Sequence, residues 1–255
     1  MQRKWKYFEL SKASINHFLP FHKISMALNI QTFKTRSLSA IIFAIVMLTG
    51  LCFNGYLFAV LMLIILSGCL IEWKKMNANI QTGNHWLRLS AGIAYIIISI
   101  TSMFYLGMGN SVTLGSFSPL FPCAVLFSMW INDTMAYIVG SFIGRRPFSP
   151  ISPKKTWEGT IGGGILCVAV IAWAGSSLSI SEHIDFVHWL FIGIICAVFG
   201  TLGDLLESKM KRLAGVKDSG NILPGHGGFL DRFDSMLLAA PVVLLYVKLF
   251  IGTTC

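Results

Sequence analysis

The sequence predicts an all-α, polytopic integral membrane protein with about seven transmembrane helices. Three observations carry that expectation. Hydrophobic residues make up 55 % of the 255-residue chain and charged ones only 12 %, against roughly 25 % charged in an average soluble chain. Mean hydropathy is correspondingly high, +0.70. Seven apolar runs, at about 39–54, 56–73, 89–108, 119–141, 159–176, 187–203 and 234–251, approach the roughly 20 residues that a bilayer core demands. The third observation is that the cations fall almost entirely on one side when those runs are threaded through a membrane. Backbone groups in lipid must be satisfied within the segment, so the runs are expected as helices.

The first 37 residues carry seven cations, one acid (Glu9) and interleaved aromatics such as Trp5, Tyr7, Phe8 and Phe33. That pattern suits a segment lying on an anionic membrane surface, and equally a solvated tail with a few apolar residues. No cleavable signal peptide is expected, because the first apolar run starts only near Ser39 without a small-residue cleavage site. The chain therefore divides into a basic cytoplasmic or interfacial segment, 1–38, and a transmembrane domain, 39–255. With the N-terminus inside, the inner segments hold seven cations at 1–38, three at Lys74, Lys75 and Arg88, four at Arg145, Arg146, Lys154 and Lys155, and five at 204–233. Only Lys248 falls outside. The positive-inside rule then puts the C-terminus outside and the charged 204–235 stretch in the cytoplasm. Cations spread over membrane-flanking loops give the +9 net charge, so it does not point to nucleic acid. Cys52, Cys69, Cys123, Cys167 and Cys196 stand singly in apolar runs and are expected as small hydrophobes, without a disulfide or zinc site.

The polar residues concentrate between the last two apolar runs. Residues 204–235 hold Asp204, Glu207, Asp218, Asp231 and Asp234, with Lys209, Lys211, Arg212, Lys217, Arg232 and His226. Asp204, Ser208, Lys211 and Arg212 are spaced i, i+4, i+7 and i+8, which places them on one face of a continuing helix. Gly215 is expected to end that helix, and Lys217-Asp218-Ser219-Gly220 reads as a turn. Gly225, Gly227 and Gly228 around His226 let backbone approach a ligand closely. Asp231 and Asp234, one turn apart, join Asp204 across a helix–loop–helix as an oxygen set suited to Mg²⁺ beside substrate phosphates. The plainer alternatives are a helix cap at Asp231 and ordinary boundary charges at Lys209, Lys211 and Arg212.

Two further clusters interrupt the oil. In the fourth run, Asn132-Asp133-Thr134-Met135-Ala136-Tyr137 includes Asp133, expected to be the only carboxylate well inside a span. It is a functional candidate by its position, or else an interhelical hydrogen bond that fixes packing. The following inner loop, Ser149 to Gly164, combines prolines, Lys154 and Lys155, with a helix beginning near Thr156 and glycines after it. Two lysines before a helix N-terminus suit phosphate, and a basic boundary loop followed by a packing face is the alternative.

The run Ser208-Lys209-Met210-Lys211-Arg212, Lys217-Asp218-Ser219-Gly220 and Pro224-Gly225-His226-Gly227-Gly228-Phe229-Leu230-Asp231-Arg232-Phe233-Asp234 resembles the signature of bacterial phosphatidate cytidylyltransferases, the CDP-diacylglycerol synthases. Asp133-Thr134-Met135-Ala136-Tyr137 resembles a second motif of that family, with Met135 where a glycine is usual. Ser152-Pro153-Lys154-Lys155-Thr156-Trp157-Glu158-Gly159 resembles a third, with Thr160 where an aromatic is common. The likeness covers about residues 130–240. The N-terminal part resembles the family only in its oiliness and looks a pair of spans shorter.

The resemblance implies a CTP-dependent nucleotidyltransferase of phospholipid biosynthesis in the cell inner membrane, with its active site facing the cytoplasm. It would join CTP to phosphatidic acid, giving CDP-diacylglycerol and pyrophosphate, with Mg²⁺ as cofactor and room for a second metal or a monovalent cation. It leaves a homodimer open. Asp204, Asp231, Asp234 and Asp133 are then the expected metal ligands or their neighbours. Asp204, Asp231, Asp234, His226, Lys217 and Asp218 would form the catalytic set. Ser208, Lys211, Arg212, Arg232, Lys154, Lys155, Asn132, Asp133, Gly227 and Gly228 would bind substrate. A relative acting on an isoprenoid or ether lipid phosphate, a membrane transporter and an inactive homologue are the alternatives.

Overall fold

The structure, a computed structural model, describes residues 30–109, 117–178, 184–220 and 227–252, with side chains from Leu38 onward. The chain separates into two compact units, Met1–Thr35 and Arg36–Cys255. Residues 1–29, for which an interfacial segment is expected, lie outside the described part, as does His226. Within it run seven helices: α1 (Ile30–Cys52), α2 (Gly55–Asn79), α3 (His85–Met108), α4 (Leu120–Ile143), α5 (Trp157–Ser177), α6 (Phe186–Leu213) and α7 (Leu230–Tyr246). A π turn, Val247–Ile251, prolongs α7. Six of these are long and apolar enough to cross a membrane, while the apolar part of α1, Leu38–Cys52, is shorter. The all-α polytopic expectation therefore holds, with α1 as the short member.

Local chemistry sets the helix ends. Asn54 caps α2 by accepting the Leu57 amide at 2.8 Å, and Asn84 caps α3 by accepting the Trp86 amide at 3.0 Å. Thr156 caps α5 through the Gly159 amide at 3.2 Å. Each satisfies an N–H that has no partner inside its own helix. Gly215, in the left-handed region at φ 69°, follows the end of α6 in the manner the sequence predicts.

Two helices outlast their apolar runs. α2 continues through Lys74 and Lys75 to Asn79, and α6 continues through its charged residues to Leu213. The turn between α2 and α3 is held by Arg88, whose Nε donates to Asn77 Oδ1 at 2.6 Å and Nη2 to the Ile80 carbonyl at 2.9 Å.

The Ser149–Thr156 stretch, expected as a proline-fixed loop, is instead part of a small antiparallel hairpin. Strands β1 (Pro147–Ser149) and β2 (Ser152–Thr156) pair Pro147 with Thr156 and Ser149 with Ser152. Neither strand has the apolar alternation that marks a half-buried strand, so periodicity gives no sign of it.

The most extensive helix contacts are α4 with α5, α6 with α7, and α5 with α6; α3 also packs on α2 and α7. Phe58, Ile65, Ile96, Met103, Val125, Trp189, Ile192 and Phe233 form one shared core. The α6–α7 approach depends on Gly203, where an added Cβ would stand 2.5 Å from the Asp234 carbonyl oxygen and 3.2 Å from the Ser235 Cα. Backbone, unlike the end of a side chain, cannot swing aside. Gly203→Ala is expected to cost about 1–3 kcal/mol by overpacking, seen as a lower melting temperature in detergent. An unchanged melting temperature would show that α6 and α7 can separate freely.

Candidate active site

Because α6 lies so close to α7, the polar ends of both helices meet the tip of β2 in one place. Asp204, on α6, receives the Lys155 ammonium from the end of β2 on Oδ2, and the Ser208 hydroxyl on Oδ1 at 3.2 Å. One turn on, Glu207 lies 3.0 Å from the Lys211 ammonium, an i, i+4 pair. The same ammonium donates to Asp231 Oδ1 on α7 at 2.5 Å. Lysine thus bridges two acids on two helices.

The other oxygen of Asp231 organises the turn that precedes α7. Asp231 Oδ2 accepts the Ser219 amide at 2.8 Å, the Ser219 hydroxyl at 3.0 Å and the Gly228 amide at 3.2 Å. Asp231 therefore ties residues ahead of α7 to the helix rather than capping it, as the plainer expectation had it: the N-cap residue is Phe229, which makes no side-chain cap bond. Asp234, one turn later, accepts the Ser235 amide on Oδ1 at 2.6 Å and stands among the charges of Asp204, Glu207 and Asp133. Asp133, on α4, keeps an exposed surface and feels the charges of Lys155 and Asp204.

The two ion-paired groups differ in their access to water. Lys155 and Asp204 keep 25 % and 21 % of their side-chain surface, whereas Lys211 and Glu207 keep 12 % and 7 %. The outer pair is the one that an arriving anion can compete with; the inner one is walled in by helix. Around them, Lys154, Arg212, Lys217, Asp218 and Arg232 are exposed, and Arg212 also reaches the Val216 carbonyl at 3.4 Å. These form a charged rim. Asn132 is buried at 4 % exposure. Its Oδ1 lies near Gly164 of α5 and has no hydrogen-bond partner.

Five acids (Asp133, Asp204, Glu207, Asp231, Asp234) share this region with two engaged ammonium groups, Lys155 and Lys211. Acids outnumber the ammonium groups engaged with them, and carboxylates held together favour a cation beside them. Among the described residues, no three His, Cys, Asp or Glu side chains converge closely enough to enclose a metal ion. An all-oxygen set without a closed cage still fits Mg²⁺, which binds through one or two carboxylates, retained waters and substrate phosphates.

Against the expectation that Asp133 is the only carboxylate well inside a span, the structure buries a second one, Glu72. Near the end of α2, Glu72 is 1 % exposed. Its Oε2 accepts the Ser219 hydroxyl at 2.8 Å and the Leu230 amide at 2.9 Å. The available signal was a lone carboxylate closing an apolar run, immediately before Trp73-Lys74-Lys75.

Comparison with known proteins shows the family. Residues 81–250, well over half of the chain, match the cytidylyltransferase family. A Bacillus subtilis protein named phosphatidate cytidylyltransferase is 40 % identical over 159 residues, covering 62 % of this chain and 57 % of that protein. A Synechocystis protein of the same name is 36 % identical over 188 residues, 66 % of this chain and 58 % of its own. A Staphylococcus aureus one is 46 % identical over 120 residues, 45 % and 44 %. The chain thus spans about half the length of the curated relatives it matches. With its family segment running from the α2–α3 turn through α7, and the acids and lysines of the cluster inside it, the chain belongs to the cytidylyltransferase family.

Proposed function

We propose that this protein transfers the cytidylyl group of CTP to phosphatidic acid, giving CDP-diacylglycerol and pyrophosphate. The observation that carries the reading is the meeting of Lys155–Asp204 with Lys211–Glu207–Asp231 at the polar end of a membrane-spanning bundle. The names of the relatives supply the substrate pair. A phosphate oxygen of phosphatidate attacks the α-phosphorus of CTP, the bond from that phosphorus to the bridging oxygen breaks, and pyrophosphate leaves in line. The nucleophile is already ionised, so no side chain has to remove a proton. What the chain supplies is position and charge.

Lys155 is suited to exchange Asp204 for a substrate phosphate, because their pair is the more open one. Arg212, Arg232, Lys154 and Lys217 line the approach, and the exposed Asp218 and the Gly227–Gly228 backbone border it. Lys211, held between Glu207 and Asp231, sets the spacing of α6 and α7 while lending positive charge to the site. One or two of Asp204, Asp231, Asp234 and Asp133 would hold Mg²⁺ directly, with the others beside it, and the ion would supply charge neutralisation on the triphosphate when bound. His226 stays in the proposed catalytic set on the strength of the motif alone. The cation distribution supports a multi-pass protein of the cytoplasmic membrane with this end in the cytoplasm, where CTP is found.

Asp204→Asn and Asp231→Asn should each lower kcat by about 10²-fold or more, the scale set by loss of one transition-state charge partner. The measurement is labelled CDP-diacylglycerol formed from CTP, phosphatidic acid and Mg²⁺ in detergent, with elution as a single folded species as control. Wild-type turnover by both variants would remove the acids from the reaction. Lys155→Ala should raise the KM for one substrate about tenfold, the worth of one charge-assisted hydrogen bond; unchanged KM and kcat would take Lys155 out of the site. In a background without native cysteines, Lys217→Cys should react with an impermeant maleimide in inside-out vesicles and not in intact cells. Labelling of intact cells would reverse the proposed orientation.

A further inference from the structure

Glu72 lies outside the family segment, on α2, yet touches Ser219 and Leu230, both of which adjoin Asp231. The Leu230 amide is the first of α7, a helix whose N-cap residue Phe229 makes no side-chain cap bond. Glu72 Oε2 takes that amide at 2.9 Å and acts as the cap from another helix. At 2.8 Å it also takes the hydroxyl of Ser219, on the far side of the turn. Ser219 Oγ in turn accepts the Asp231 amide at 3.3 Å, and the Ser219 amide binds Asp231 Oδ2 at 2.8 Å.

The glycines on either side fit around this carboxylate. A Cβ on Gly220 would stand 2.7 Å from Glu72 Cδ, and one on Gly228 would stand 2.5 Å from Glu72 Oε2. Glu72 Oε1 has no hydrogen-bond partner. A carboxylate so enclosed, with one oxygen unsatisfied, is costly for stability alone, where a well-packed apolar residue would do as well or better.

We propose that Glu72 is a positioning residue for the nucleotidyl-transfer site: it clamps Ser219 to the start of α7 and thereby fixes where Asp231 stands. The inference rests on the function proposed above. Reach matters more than charge in this role. Glutamine has the same length, and its carbonyl oxygen, in the place of Glu72 Oε2, can accept both the Leu230 amide and the Ser219 hydroxyl. Aspartate keeps the charge but falls short by one methylene.

Glu72→Gln, Glu72→Asp and Glu72→Ala are to be compared in the full chain by kinetics, melting temperature and amide hydrogen exchange. Exchange is read in peptides containing Ser219 and Leu230. Glu72→Gln should keep kcat within about tenfold of wild type. Glu72→Asp should lose about 10²-fold in kcat, the cost of a misplacement near 1 Å, with the KM for CTP little changed and faster exchange at Leu230. Glu72→Asp matching Glu72→Gln, or kcat falling only in step with melting temperature, would overturn the assignment. If Glu72→Ala does not fold, the Asp and Gln pair decides alone. If wild type forms no product, exchange still decides. Faster exchange at Leu230 in Glu72→Asp than in Glu72→Gln keeps the clamp and sinks only the proposed reaction, whereas equal exchange sinks the clamp.

Discussion

The structure depends on a charge constraint: acids on α6 and α7 can stand together at the end of an apolar bundle only because lysines stand with them. Lys211 is shared between Glu207 and Asp231, and Lys155 reaches Asp204 from the β hairpin. Taking such groups out of water costs several kcal/mol per ion unless the partners are close and well bonded. The helices answer that demand with geometry. Gly203 lets α6 and α7 close up, and the Thr156 cap fixes where β2 ends and α5 begins. Packing and electrostatics therefore act on the same few residues.

A division of labour follows among groups of like charge. The two lysines differ in enclosure: Lys155 is open enough for an incoming phosphate to compete, whereas Lys211 is held by helix on both sides. Asp231 and Asp234, one helical turn apart, differ too. The first is saturated by Lys211, Ser219 and Gly228, and the second meets other carboxyl groups. Residue type alone assigns all of these to substrate or metal, and surroundings separate them into holders and responders.

Much of this was legible in the sequence. Apolar runs located every helix among the described residues, because lipid leaves a spanning backbone no other solution. The i, i+4 spacing of Asp204 and Ser208 anticipated their hydrogen bond, and Gly215 marked the end of α6. What the sequence hid was of two kinds. The 147–156 hairpin has no apolar alternation, since its strands are mostly proline, serine and lysine and none of their residues is buried. Pairings between distant elements, Lys155 with Asp204 and Glu72 with Ser219 and Leu230, have no periodicity at all. Spacing reports neighbours on one helix, whereas these contacts arise only once helices are packed.

The Arg88 staple between α2 and α3 carries a consequence for modularity. The family segment begins at residue 81, inside the turn that Arg88 ties back to Asn77 and Ile80. That boundary, clear in sequence similarity, cuts through a knot of hydrogen bonds rather than between two folding units. The shared segment is thus not a detachable cassette. The border of family similarity and the border of the hydrogen-bonded structure fall in different places.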